Sequence, residues 1–125
     1  MTEEIEQKLS DILKDGEVRF AGLIDKHGNL VKGDFRKGLI PFENDEEQKQ
    51  SFQELAVRVS TRKKFDHSMG PVKYSASRRE KLVMMSFPLD NNILMITADP
   101  HVNIDRLAYK IIQKLGNTWS DFWGK

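Results

Sequence analysis

The stretch KLVMMSFPLDNNILMITA, residues 81–98, contains two apolar runs on either side of a polar turn. The runs KLVMMSF and ILMITA are apolar at nearly every position, whereas a strand with one face in water alternates apolar and polar residues. Such runs are typical of strands that are buried on both faces. We therefore expect Lys81–Phe87 and Ile93–Ala98 to form central strands of a sheet that carries helices on both sides.

Three further strands are predicted around this pair. The stretch VKYSAS, Val72–Ser77, is shorter and more polar, as expected of a strand at the edge of a sheet. Earlier in the chain, Val18–Asp25 and Asn29–Phe35 are strand-like runs joined by the turn KHG. Gly28 in this turn permits the positive φ that a tight hairpin requires. The pattern therefore predicts five strands, two in a hairpin and three in a later meander.

Helical periodicity appears in three other stretches. The first ends near Asp15, the second is capped by Asn44 or Asp45 and runs to about Lys64, and the third has Asp99 and Pro100 at its N-cap and first helical position. Their apolar stripes are Ile5, Leu9, Ile12 and Leu13; Phe52, Leu55, Ala56 and Val59; and Ile104, Leu107, Ala108, Ile111 and Leu115. We predict an α+β fold with three α/β/α layers, a five-stranded mostly antiparallel sheet and the order α-ββ-α-βββ-α.

Composition bounds the class of protein. The 125 residues fit one domain, and the absence of cysteine excludes disulfides and thiolate chemistry and suits a reducing cytoplasm. We expect a cytoplasmic protein, because the acidic N-terminal stretch is unlike a signal peptide and the longest apolar-rich stretch is interrupted by polar residues. The net charge of +1 is unevenly distributed, since residues 1–50 hold 8 basic and 12 acidic residues and the remainder hold 12 and 7.

No catalytic constellation emerges from the residues. Asp25, Lys26 and His27 resemble an acid–base cluster, but a turn explains them better because no nucleophile accompanies them. The Ser-x-x-Lys match at Ser60–Lys63 lacks the other motifs of acyl-transfer enzymes, and phosphate-binding glycine loops are absent. The three histidines are scattered without metal-ligand spacing. We therefore predict a non-enzyme with no catalytic, cofactor-binding or metal site.

Basic residues offer one binding alternative. We expect the end of the second helix and the turn after the third strand to lie close together, which would assemble an anion site from Arg58, Arg62, Lys63, Lys64, Arg78 and Arg79. Helix-dipole complementarity and protection of an edge strand explain the same residues without a ligand. Weak nucleic-acid or anion binding stays an alternative, although stacking aromatic residues are sparse and nucleic acid is not the favoured partner.

The strings VRFAGLIDKHGNLV and REKLVMMSFPLDNNILMITADP, together with the order of elements, resemble roadblock/LC7 and longin-type domains of the profilin-like group. An archaeal branch with an R-[FY]-[AV]-G-[IL]-I-[DN] opening and an SFPL strand end is especially similar. The resemblance covers about residues 1–115 and implies a cytoplasmic signalling or scaffold domain that forms homodimers or binds a partner such as a small GTPase. Such domains commonly pair through the second helix and third strand, which indicates an interface near Phe52, Val59, Val72, Tyr74 and Ala76.

Two questions stay open at this stage. Related PAS-like domains hold small ligands, so a ligand-sensing module is the second function class, with Met84, Met85 and Met95 either in the core or lining a cavity. The segment 116–125 lies outside the family core and carries Trp119, Phe122 and Trp123 at the spacing of one helical face. We expect this aromatic tail to pack on the domain or its dimer mate, with a partner-docking motif as the alternative.

Overall fold

The computed structural model describes residues 2–116, and their elements follow the predicted order. A 3-10 turn, Lys63–Phe65, and a short helix α3, Asp66–Met69, follow the second long helix directly. The long helices are α1 (Thr2–Leu13), α2 (Asp45–Arg62) and α4 (Ile104–Lys114). The strands are β1 (Val18–Asp25), β2 (Leu30–Phe35), β3 (Ser75–Arg78), β4 (Val83–Leu89) and β5 (Asn92–Ala98).

The five strands form one antiparallel sheet in the order β2-β1-β5-β4-β3. The central strand β5 pairs with β1 on one side and with β4 on the other. Both β4 and β5 therefore lie in the interior of the sheet, as their apolar runs predict, and β3 lies at an edge. The α+β class, the five strands and the order of elements are confirmed.

The sheet has a buried face on each side. On one face, α1 and α4 pack over β1, β4 and β5, and the centre of this core includes Ile12, Phe87, Ile96, Leu107 and Ile111. On the other face, α2 is the one helix among residues 2–116 that packs over β1 and β5, and Leu55 shares this core with Ile24 and Met95. The structure thus has three layers, with two helices on one side and one on the other.

Several element boundaries differ from the sequence prediction, including β4, which spans Val83–Leu89 instead of Lys81–Phe87. The last helix begins at Ile104, because the Asn103 side chain accepts a hydrogen bond from the backbone N–H of Arg106 and caps it. The backbone N–H of Asp99 instead bonds to the carbonyl of Glu17, which holds the earlier cap candidate in a turn after β5. Asn is as strong an N-cap residue as Asp, so the pattern alone did not separate the two positions.

The third strand is shorter than predicted, because β3 begins at Ser75 instead of Val72. Ser75 pairs with Ser86, and continuing that register would place Lys73 opposite Pro88. Pro88 has no backbone N–H to donate, so the ladder between β3 and β4 ends at this point. Within residues 2–116, no helix has the length and apolar character needed to cross a membrane.

Candidate interaction surface

Helix α2 is fixed at its start and along its buried face. Asn44 and Glu47 form a capping box, in which each side chain accepts a hydrogen bond from the other residue's backbone N–H. The buried residues Phe52, Leu55, Ala56 and Val59 recur at helical spacing and pack on β1 and β5. Because α2 is centred over these two strands, the same face of β3 and of the outer part of β4 is left uncovered beside it by residues 2–116, while Met84 of β4 packs against the margin of the core.

Two grooves run along this uncovered surface, one at each end of α2. The groove at the C-terminal end of α2 has a volume of about 530 Å³ and lies between that helix, β3 and the end of β4. The groove at the N-terminal end has a volume of about 790 Å³ and lies between that helix and the β3–β4 turn. We refer to them as the C-end groove and the N-end groove.

The C-end groove carries a small excess of basic side chains. Arg62, Lys63 and Lys73 line it, together with the carboxylates of Asp66 and Asp90. The Arg62 guanidinium donates a hydrogen bond of 2.7 Å to the Ser75 hydroxyl, which joins the end of α2 to the start of β3. This contact positions a cation directly beside the exposed edge strand.

The N-end groove carries mainly acidic side chains from α2 and the loop before it. Glu43, Glu47 and Glu54 line it, opposite Arg79 and Lys81 of the β3–β4 turn. Burial raises the pKa of Glu43, the nearby Glu47 carboxylate raises it further, and Arg79 opposes this shift. With Glu80 of the β3–β4 turn, four carboxylates and two cations line this groove.

The predicted interface residues do not share one surface. Phe52 and Val59 are 5% and 9% exposed and belong to the core beneath α2, whereas Ala76 is exposed on β3. Val72 is half-buried in the segment before β3 and lines the C-end groove. Val72 and Ala76 therefore lie where another molecule can reach them without displacing the core, and the buried Val59 borders the C-end groove.

Tyr74, the fifth predicted interface residue, is half-buried and lies on the opposite face of the sheet. Its ring stacks on Phe87 with centroids 5.8 Å apart, and its hydroxyl donates a hydrogen bond to the Asp105 carboxylate of α4. Burial and the Asp105 carboxylate together raise the pKa of Tyr74 to about 12. Tyr74 therefore links the β3 side of the sheet to α4.

The two basic segments are not close together, which corrects the sequence prediction. Strand β3 begins beside the C-terminal end of α2 and runs toward the N-terminal end, so the β3–β4 turn with Arg79 lies at the far groove. Arg78 is on the opposite face, where its guanidinium donates hydrogen bonds to the carbonyls of Pro100 and Val102. Arg58 pairs with Glu54 one turn away on α2. Only Arg62 and Lys63, of the six predicted anion-binding residues, line the C-end groove.

The hairpin turn uses its polar residues for its own geometry. The Asp25 carboxylate accepts hydrogen bonds from the backbone N–H groups of Asn29 and His27, each 2.9 Å long, and these bonds lower the pKa of Asp25. Gly28 has a φ of 85°, and a Cβ at this position would lie 2.6 Å from the Cα of Gln53 on α2. The turn therefore needs glycine both for its conformation and for its contact with α2.

Metal ligands do not cluster within residues 2–116, where no group of three or more His, Cys, Asp or Glu side chains is placed to hold an ion. The predicted tail residues Trp119, Phe122 and Trp123 lie outside the described residues. Sequence reasoning missed the contrast between the two grooves, although the sequence of α2 and the turn after it carries a signal for it. Acids occupy residues 45–47 and 54, with one base at 49, and bases occupy 58 and 62–64.

The fold is that of roadblock/LC7 domains. A roadblock/LC7 domain from Streptomyces avermitilis superposes with a TM-score of 0.68 at 9% identity, covering 89% of this chain and 91% of that one. The gliding protein MglB from Thermus thermophilus superposes with a TM-score of 0.70 at 13% identity, covering 90% of this chain and 86% of that one. MglB from Myxococcus xanthus superposes with a TM-score of 0.69 at 15% identity, covering 96% of this chain and 91% of that one. At these identities the likeness establishes the fold.

The sequence itself assigns the family. A model of a family of unknown function, DUF6659, matches residues 1–125, so the chain belongs to that family. No curated protein sequence matches the chain significantly. The archaeal branch suggested by the sequence strings stays a prediction.

Proposed function

We propose that the chain is a non-catalytic domain that forms homodimers through α2 and β3 and presents the paired surface to a protein partner. The observation that carries this proposal is the reversal of charge along the side of α2 that faces the uncovered strands. Two copies related by a twofold axis offer each other the same patch, so a patch that is acidic at one end and basic at the other complements itself. The roadblock/LC7 fold supports this use of α2 and β3 through the resemblance described above.

The charge reversal follows one side of α2. Glu47, Ser51 and Glu54 occupy its first half, and Arg58 and Arg62 occupy its second half, at spacings of three and four residues. When two α2 helices lie antiparallel, the acidic half of each faces the basic half of the other. The acidic N-end groove of one copy would then lie against the basic C-end groove of its partner. Such contacts favour correct pairing more than they add raw affinity.

Strand β3 supplies the second half of the proposed interface. It is a four-residue edge strand with exposed side chains, and its outer backbone groups have no strand partner within residues 2–116. Antiparallel pairing of two such strands would satisfy those groups and join two sheets into one. A further structure with the same fold shows MglB in a tetrameric arrangement, at a TM-score of 0.66 and 12% identity, which supports assembly between copies.

The partner class implied by the resemblance is a small GTPase. The outward side of α2 would meet such a partner, and Val57 on that side is a large apolar residue that is 65% exposed. Capture of a GTPase from the source cell by the wild-type protein, and reduced capture by Val57→Asp, would support this assignment. Equal capture by both forms would place the partner surface elsewhere.

Charge exchange between two variants tests the dimer directly. In the first variant, Glu47→Lys and Glu54→Lys make both halves of this side of α2 basic. In the second variant, Arg58→Glu and Arg62→Glu make both halves acidic. Each variant alone should lose homodimer, by at least about tenfold in dissociation constant, because like charges then face each other. An equimolar mixture should recover a dimer of mixed composition, measured by light scattering and native mass spectrometry.

Lys49→Glu is the matched control, because Lys49 lies on α2 at a position that lines neither groove. It should leave the dimer intact. Circular dichroism checks that the loss of the Glu47 capping contact has not unfolded α2. A wild-type chain that is monomeric at micromolar concentration, or variants that dimerise alone as well as they do when mixed, would contradict the proposal.

A further inference from the structure

A second surface lies on the other edge of the sheet, between α1 and β2. Here a groove of about 440 Å³ is lined on the helix side by Leu9 and Leu13 and on the strand side by Leu30 and Val31. We call it the α1–β2 groove. Val31 is 53% exposed, so apolar surface that a folded domain normally covers borders the groove. Polar side chains share the lining, and the Lys32 ammonium of β2 pairs with the Glu6 carboxylate of α1 at 2.7 Å. The dimer proposed above uses the opposite edge of the sheet and does not involve this groove.

The described part of the chain ends beside α1. The Lys8 ammonium donates a hydrogen bond of 3.1 Å to the carbonyl of Leu115, and Lys114 donates one to the carbonyl of Asp11. Gly116 follows with a φ of 87°, which turns the backbone out of the direction of α4. The described residues therefore end beside the middle of α1, the helix that forms one wall of the α1–β2 groove.

We propose that the segment 117–125, NTWSDFWGK, which lies outside the described residues, binds in the α1–β2 groove of its own protomer. Nine residues extend to about 30 Å, whereas a helix with its side chains is about 10–12 Å across, so the segment can pass over α1 and reach the groove. Its three aromatic side chains each offer about 150–250 Å² of apolar surface, which water favours burying. The segment would supply apolar side chains that the groove can bury.

The other exposed apolar side chains of residues 2–116 are less suitable as a binding surface for this segment. They lie in the loop before α2, on α2 or directly after it: Ile40, Phe42, Val57, Phe65 and Met69. Tyr109 lies on α4, with its hydroxyl accepting a hydrogen bond from Gln113. Strand addition to β2 is also disfavoured as the use of this edge, because Lys32 and Asp34 and the irregular register near Leu23 protect it from pairing.

Tryptophan fluorescence tests the proposal without labels, since both tryptophans of the chain, Trp119 and Trp123, lie in this segment. The native chain should emit at shorter wavelength than the same chain in guanidinium chloride, with strong protection from acrylamide quenching. Val31→Asp should shift the emission to the unfolded value and raise the quenching constant several-fold. Ile40→Asp, which adds the same charge at an 84% exposed position outside the groove, should leave both unchanged.

Circular dichroism and light scattering on the same samples separate docking from folding and from dimerisation. Val31→Asp should keep its secondary structure and its oligomeric state.

Three results would overturn the proposal. Native emission equal to that of the unfolded chain would show that the segment stays in water. Short-wavelength emission that Val31→Asp does not change would place the segment on another surface. Emission that moves to longer wavelength on dilution, in step with dissociation of the copies, would place it between protomers, and the charge-exchange experiment would still decide the dimer independently.

Discussion

The helices cover the two faces of the sheet to different extents. Under α1 and α4, the chain buries β1, β4 and β5 in one continuous core, and Lys110 closes its rim by pairing with Asp15 at 3.2 Å. Under α2, the buried core is built on β1 and β5, with Met84 of β4 and Phe35 of β2 only partly buried at its margin, and two grooves lie beside α2 toward β3 and β4. The apolar residues of the covered face are buried by helices of the same chain. The half-covered face is the one that a second molecule can complete.

The largest effect should come from breaking the covered face. Phe87 is fully buried there and stacks on Tyr74, so Phe87→Ala should remove packing from both β4 and its neighbour. We expect a loss of about 3–5 kcal/mol in the free energy of unfolding, measured by chemical denaturation. Val57→Ala, on the exposed side of α2, is the control and should change stability by less than about 0.5 kcal/mol. Comparable losses in the two variants would mean that the faces do not differ as described.

A smaller effect should come from disturbing how α2 sits on its face. Gly28→Val forces a branched side chain into a positive φ and against the backbone of Gln53, so it should cost more than about 1 kcal/mol. His27→Ala in the same turn should change the melting temperature very little, because the turn uses only the backbone N–H of His27 in its bond to Asp25. A functional defect in His27→Ala at unchanged stability would revive the turn as a site.

The smallest effect concerns the hydrogen bond that ties the β3 side to the covered face. Tyr74→Phe should cost about 1 kcal/mol at neutral pH, the usual net value of one hydrogen bond. The folded pKa of Tyr74 is raised from 10 to about 12, so its contribution is complete below pH 10 and is lost as the pH rises toward 12. Denaturation curves between pH 8 and 12 should show this loss in the wild type and a weaker one in Tyr74→Phe. Parallel curves would mean that Asp105 does not hold this hydroxyl.

Much of the scaffold was predictable because its signals are local. Residues 81–98 show continuous apolar character where alternation would mark a half-exposed strand, and β4 and β5 lie inside the sheet as that pattern predicts. The turn at Gly28 was predictable because a positive φ there is a property of the turn itself. The candidate surface was harder to predict from the sequence, because the spacing of Phe52 and Val59 fits an interface and a core equally well.

By itself, the sequence determined the order of elements, the two interior strands and the order of charges along α2, because each depends on residues within a few turns of one another. Only the tertiary structure decided that Tyr74 faces α4, that Arg78 holds the loop before α4, and that Arg79 lies at the acidic end of α2. These placements follow from the direction and register of β3 against β4 and from the position of α2 across the sheet. Both are set by contacts between residues far apart in the chain, which no local pattern contains.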